Sequence, residues 1–145
     1  MKLTLEDDQM CYVCGKKNKD GFRLDFEHPR SGVLRAEVVF EKRHQGYKGI
    51  VHGGLVAALL DEMMINLAWK EGFPAVTAEL NVRLKKATFV GDKVRLEGRL
   101  EPPGPKKGRL IKARAEAWNQ KGELLVSATA TCIRLDIKNT RHKLR

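Results

Sequence analysis

The sequence has no apolar run long enough to cross a membrane. Its longest, Leu55–Leu60, is far short of the roughly 20 residues that a spanning helix needs. The opening MKLTLEDDQM has no apolar stretch of the secretory kind, so a leader is not expected and a cytoplasmic protein is the default. Aromatic residues make up only 6% of the chain and do not interleave with the basic ones. That weakens a single-stranded nucleic-acid reading, which needs stacking platforms. Cysteine is scarce and odd in number: Cys11, Cys14 and Cys132 do not make a disulfide framework. Repeats, low-complexity segments and linkers are all missing. The 145 residues, 42% hydrophobic, therefore read as a single domain over 1–145 with a real core.

One property is in excess. Twenty-eight basic against 18 acidic residues give a net charge of +10, which favours anionic partners such as nucleic acid, a membrane surface or a phosphate-bearing small molecule. Part of the surplus sits in a basic tail over 136–145, with Lys138, Arg141, Lys143 and Arg145. Beyond charge nothing supports a nucleic-acid or membrane partner, and neither is expected. The pair Cys11-Tyr-Val-Cys14-Gly15 has a spacing used by metal and redox sites. Zinc needs four ligands, and no second such pair follows. His28 is at most a third ligand, and a fourth would have to come from another subunit. A redox pair normally follows a strand and opens a helix; here the chain has barely begun. A structural role is expected, with no metal and no cofactor.

Hydropathy patterning divides the rest. Residues 1–20 are polar and irregular. Phe22, Leu24 and Phe26 alternate with Arg23, Asp25 and Glu27, and after the turn cluster His28–Gly32, Leu34, Ala36, Val38 and Phe40 alternate again. The pattern predicts two strands joined as a hairpin. From Gly53 to Lys70 the chain is rich in Leu, Ala and Met and apolar nearly all round, which predicts one buried helix; Gly72-Phe73-Pro74 ends it. Four more strands follow, near 76–85, 94–100, 111–117 and 123–135, separated by Gly- and Pro-rich turns such as Pro102–Gly108. The fold class is α+β: an antiparallel sheet of about six strands, wet on one face, wrapped around a single helix.

Two features of that helix could carry chemistry. His52-Gly53-Gly54 stands at its start. Glycines there permit close approach to backbone N–H groups, and the helix N-terminus favours an oxygen that is becoming negative. Asp61 and Glu62 are the only charges between His52 and Lys70, and a carboxylate amid apolar residues is costly unless paired or functional. Asp61 shares a helix face with Gly54, Ala57, Ala58 and Ala68, all small. Nine residues of helix put His52 and Asp61 roughly 13 Å apart at 1.5 Å per residue. One chain cannot easily bring both to one reacting atom, but two antiparallel helices from two subunits can; if both features are catalytic, two equivalent sites should straddle a two-fold interface.

The stretch His44-Gln-Gly-Tyr-Lys-Gly-Ile-Val-His52-Gly-Gly-Leu-Val-Ala-Ala-Leu-Leu-Asp61-Glu62 resembles the hotdog-fold thioesterase superfamily, in particular its phenylacetyl-CoA thioesterase-like branch. The start Cys11-Tyr-Val-Cys14-Gly15…Asn18…Gly21-Phe22 resembles a subgroup of those proteins with a CxxCG opening. Strand order and length also resemble the family's from about residue 20 to 135, so the resemblance covers most of the chain. It implies an acyl-CoA thioesterase in a homodimer or homotetramer. The Gly53 N–H would polarise the thioester carbonyl and His52 would help position it. Asp61 of the partner subunit would act as general base or nucleophile, with Thr77 orienting the water and Glu62 held in reserve. Gly54 and Gln45 would border the substrate, and Arg83, Lys85 and Lys86 would form a rim for the phosphates of coenzyme A. The sequence departs from the family at Gly46, where many members have Asn; Gln45 or His44 stands nearest to replace it. The departure favours a second reading, a protein that binds acyl-CoA without cleaving it. A hotdog hydratase or dehydratase is a third.

Overall fold

The computed structural model describes residues 5–101 and 108–136. The basic tail and most of the Pro102–Gly108 loop lie outside them. The elements run β1 (Glu27–Arg30), β2 (Val33–Val39), α1 (Gly53–Lys70), β3 (Ala75–Leu84), β4 (Lys93–Leu100), β5 (Leu110–Trp118) and β6 (Leu124–Arg134). They form one antiparallel six-stranded sheet in the order β1-β2-β4-β5-β6-β3, curled around α1 in the hotdog architecture. No helix among the described residues is long and apolar enough to cross a membrane.

The core lies between helix and sheet. Leu59, Leu60, Met63, Met64 and Leu67 of α1 are fully buried against Leu34, Leu96, Ile111 and Leu125. β5 and β6 present alanines to the helix, Ala113, Ala115 and Ala117 from one and Ala128 and Ala130 from the other. Their small side chains leave room for the thick helix. Gly98 of β4 goes further: a Cβ there would stand 3.2 Å from the Met63 carbonyl oxygen, so a larger residue would push the helix backbone back by a few tenths of an ångström.

The helix and the last four strands fall where the periodicity predicts. Two differences carry information. Residues 22–26 alternate as a strand would, yet belong to no strand. Phe22 N–H donates to the Tyr12 carbonyl at 2.9 Å and Leu24 N–H to that of Val13 at 2.8 Å. The N-terminal segment supplies their partners, and the ladder with β2 forms only over Glu27–Arg30. In β3, the register with β6 shifts between Thr77 and Glu79, a bulge that changes which face the side chains occupy. Leu80 and Val82 pair with the buried Ala130 and Ala128, so even-numbered residues face the helix beyond the bulge. Before it, Thr77 pairs with the buried Cys132 and faces inward.

Candidate active site

The cap of α1 is built by its own sequence. His52 is extended, with φ −60° and ψ 121°, and its Nδ1 accepts from Gly54 N–H at 3.0 Å. Leu55 N–H donates to the His52 carbonyl. Gly53 N–H, one of the helix donors with no intrahelical partner, takes part in neither bond. A Cβ on Gly53 would stand 2.7 Å from Leu84 Cδ1, so the helix start is pressed against the end of β3. The preceding loop is held by Val51 N–H to the Thr88 carbonyl and His52 N–H to the His44 carbonyl, at 2.8 and 2.9 Å.

Beside this cap lies a cleft of about 450 Å³, bordered by Gly46, Tyr47, His52, Gly53, Lys85 and Lys86 among others. The structure thus brings together the helix start and two of the three basic residues named from the sequence. Arg83 lies instead in a second hollow of about 290 Å³, with Lys85 and Arg114. Gln45 turns its side-chain oxygen to Gly49 N–H at 3.1 Å. His44 is 3% exposed, stacked on Phe22 with ring centroids 4.5 Å apart. Burial, helped by Arg43, lowers its pKa, so its ring is a neutral packing group. Its Nδ1 accepts from Glu41 N–H at 2.9 Å.

A second group forms in the middle of α1. Thr77 Oγ1 donates to Asp61 Oδ1 at 2.8 Å. The two are neighbours only because the bulge turns Thr77 inward. Cys132, opposite Thr77 on β6, completes the corner and was not singled out from the sequence. Burial, and to a lesser degree the charge of Asp61, raise its pKa, so it stays a thiol. Glu62 points elsewhere. Its Oε1 meets the Cys14 thiol at 2.9 Å, the Cys11 thiol at 3.7 Å and Asn66 Nδ2 at 2.6 Å. The hydrogen bond with Cys11, burial and the Glu62 charge drive the Cys14 pKa far up. His28 is remote from these thiols and bonds Glu71 at 3.0 Å.

The sequence model of the thioesterase superfamily matches residues 48–126, a span that begins just before the cap and contains both α1 and β3. The chain belongs to the thioesterase superfamily. Solved members share its hotdog fold. A thioesterase superfamily protein is 26% identical, with a TM-score of 0.79 over 86% of this chain and 60% of that one. A hypothetical thioesterase of Streptococcus pneumoniae, solved with coenzyme A, is 20% identical, with a TM-score of 0.71 over 77% and 85%. Two further structures of that protein carry alanine in place of an aspartate and of a threonine. The PaaI protein of Escherichia coli, from the phenylacetic acid degradation operon, is 15% identical, with a TM-score of 0.70 over 78% and 84%. None of the curated proteins matches the chain.

Proposed function

We propose that this superfamily member is an acyl-CoA thioesterase, releasing a free acid and coenzyme A at a site shared by two chains. The observation that carries the reading is the half-buried Asp61–Thr77 hydrogen bond on the flank of a largely apolar helix. The aspartate and threonine replaced in the pneumococcal protein stand sixteen residues apart, as do Asp61 and Thr77.

In this mechanism the thioester carbonyl of the substrate lies against Gly53 N–H of one chain. Asp61 of the other chain takes a proton from water, which Thr77 helps to hold, and the hydroxide attacks the carbonyl carbon. The oxygen becomes negative where the helix N-terminus and the Gly53 N–H favour it. Collapse of the tetrahedral species breaks the C–S bond, and the proton goes to the leaving thiolate. Lys85 and Lys86, beside the cleft, suit the phosphates of coenzyme A.

Two features support pairing of the chains. β3 is a ten-residue edge strand that bonds only β6 among the described residues, and an unpaired edge of that length invites another strand. The face of α1 bearing Gly54, Ala57, Ala58 and Asp61 is left partly open. Two copies joined through β3 would cover it and bring Asp61 of one toward Gly53 of the other.

A thiol-release assay over acetyl, medium-chain, long-chain and aromatic CoA thioesters tests the reading. Turnover of at least one class is expected. Tight binding of CoA thioesters without turnover on any class would favour the second reading, a binding protein. That alternative draws on Gly46, where a Cβ would face the His52 ring at about 3.5 Å and the family commonly carries an amide side chain.

A further inference from the structure

Residues 5–26 cross the outside of the helix–sheet layer with no helix or strand of their own. Val13, Cys14 and Leu24 enter the core, and Cys11, Phe22 and Phe26 pack half-buried against it. Their path is sharply defined. A Cβ on Gly15 would lie 2.4 Å from the Gln9 carbonyl oxygen and 2.5 Å from the Cys11 nitrogen, and one on Gly21 would lie 2.1 Å from the Tyr12 carbonyl oxygen. Both contacts are with backbone, so both turns require glycine. The first turn, closed by Gly15 N–H on the Cys11 carbonyl at 2.8 Å, aims both thiols of the CxxC pair at α1.

Glu62 meets them from the helix. Its carboxylate oxygen and the two sulfurs all lie within 4.8 Å of one another, with Cys14 buried and the other two half-buried. Asn66, one turn along, donates to the same oxygen at 2.6 Å and to the Glu62 carbonyl at 3.2 Å. It holds the carboxylate toward the sulfurs.

We propose that Cys11, Cys14 and Glu62 bind a zinc ion that pins the N-terminal segment to α1. Two thiolates and a carboxylate are a donor set that zinc accepts; a water would complete four-coordination. Calcium and magnesium want six or more oxygens and would refuse it. With usual Zn–S and Zn–O bonds, a tetrahedral site sets sulfur and oxygen about 3.6 Å apart. Cys11 and Glu62 already stand at 3.7 Å; Cys14 and Glu62, at 2.9 Å, would separate by less than an ångström. Binding sends the two thiol protons to solvent. Asn66 plays the part of the outer hydrogen-bond partners that orient metal ligands. A redox dithiol would gain from a cationic neighbour that favours the thiolate. Glu62 is the opposite kind of neighbour, and it is the kind a cation needs.

The test uses the full-length protein, freed of metal by chelation and kept fully reduced, with cobalt(II) and then zinc as probes. The expected result is one cobalt per chain, a thiolate-to-cobalt charge-transfer band in the near ultraviolet, and displacement by one equivalent of zinc. Cys14→Ser should remove the band. Glu62→Gln, with its melting temperature measured to show that it folds, should weaken zinc binding by about 10-fold or more, and Asn66→Ala by about 10-fold. A reduced wild type that takes up neither ion at one per chain overturns the site. Zinc affinity unchanged in Glu62→Gln overturns the part given to the carboxylate. No readout involves turnover, so the result is independent of the thioesterase reading.

Discussion

Thr77 donates a 2.8 Å hydrogen bond to Asp61, and the β3 bulge between Thr77 and Glu79 is what turns its hydroxyl toward the helix. A strand without that bulge, in phase with Val82 and Leu84, would aim Thr77 at solvent. If Thr77 orients the attacking water, Thr77→Val should lower kcat by about 10-fold. Its effect on melting should be small, since valine fills the same space. Steady-state kinetics beside a thermal melt checks this.

Gly53 can be tested with little damage to the fold. Proline is well accepted at the first position of a helix, where the missing N–H has no helical partner. The residue before a proline must be extended, and His52 already is, at φ −60° and ψ 121°. The crowding side chain, Leu84, is 61% exposed and free to swing aside. Gly53→Pro should therefore fold, bind CoA thioesters and lose about 10²- to 10³-fold in kcat, as loss of one oxyanion donor does. Circular dichroism and single-turnover kinetics separate the two effects.

A site shared by two chains, as proposed, makes a sharper prediction. Gly53→Pro and Asp61→Asn chains should each be nearly inactive alone. Mixed and refolded one to one, half of the dimers combine both chains. Each mixed dimer has one site with both lesions and one with neither, so about a quarter of wild-type activity should return. Sites confined to single chains would return none.

The end of α1 should respond to acid. Glu71 accepts hydrogen bonds from Gly32 N–H, Ser31 Oγ and His28 Nε2 in the β1–β2 hairpin. Burial opposes its charge, but those donors together outweigh it and hold its pKa below the usual carboxylate value. Because the folded pKa is the lower one, the stabilisation is complete above the unfolded carboxylate's pKa and is lost as pH falls through the folded one. Glu71→Gln should cost about 1–3 kcal/mol at neutral pH and less in acid. Urea midpoints at neutral and acidic pH measure the difference.

Much of this was readable in the sequence. The bounds of α1 follow from the His52-Gly-Gly start and the Gly72-Phe73-Pro74 stop, and the strands β4 to β6 follow from alternation. The irregular wrap of residues 22–26 was not, because their hydrogen-bond partners Tyr12 and Val13 lie in a segment with no periodicity to read. Thr77 was legible as a hydroxyl in the right strand but not as inward-facing, since a bulge leaves no mark in hydropathy. Glu62 stood out as a charge on an apolar helix. Its meeting with Cys14, 48 residues away, is a product of the tertiary fold alone.

The most direct test of the central claim is the rate of CoA release from the best acyl-CoA by wild type and by Asp61→Asn, with substrate binding measured on both. If Asp61 is the base, the variant binds the thioester as the wild type does and releases CoA about 10²- to 10⁴-fold more slowly. A variant that turns over at the wild-type rate would contradict the account, and the chemistry would have to lie with another residue.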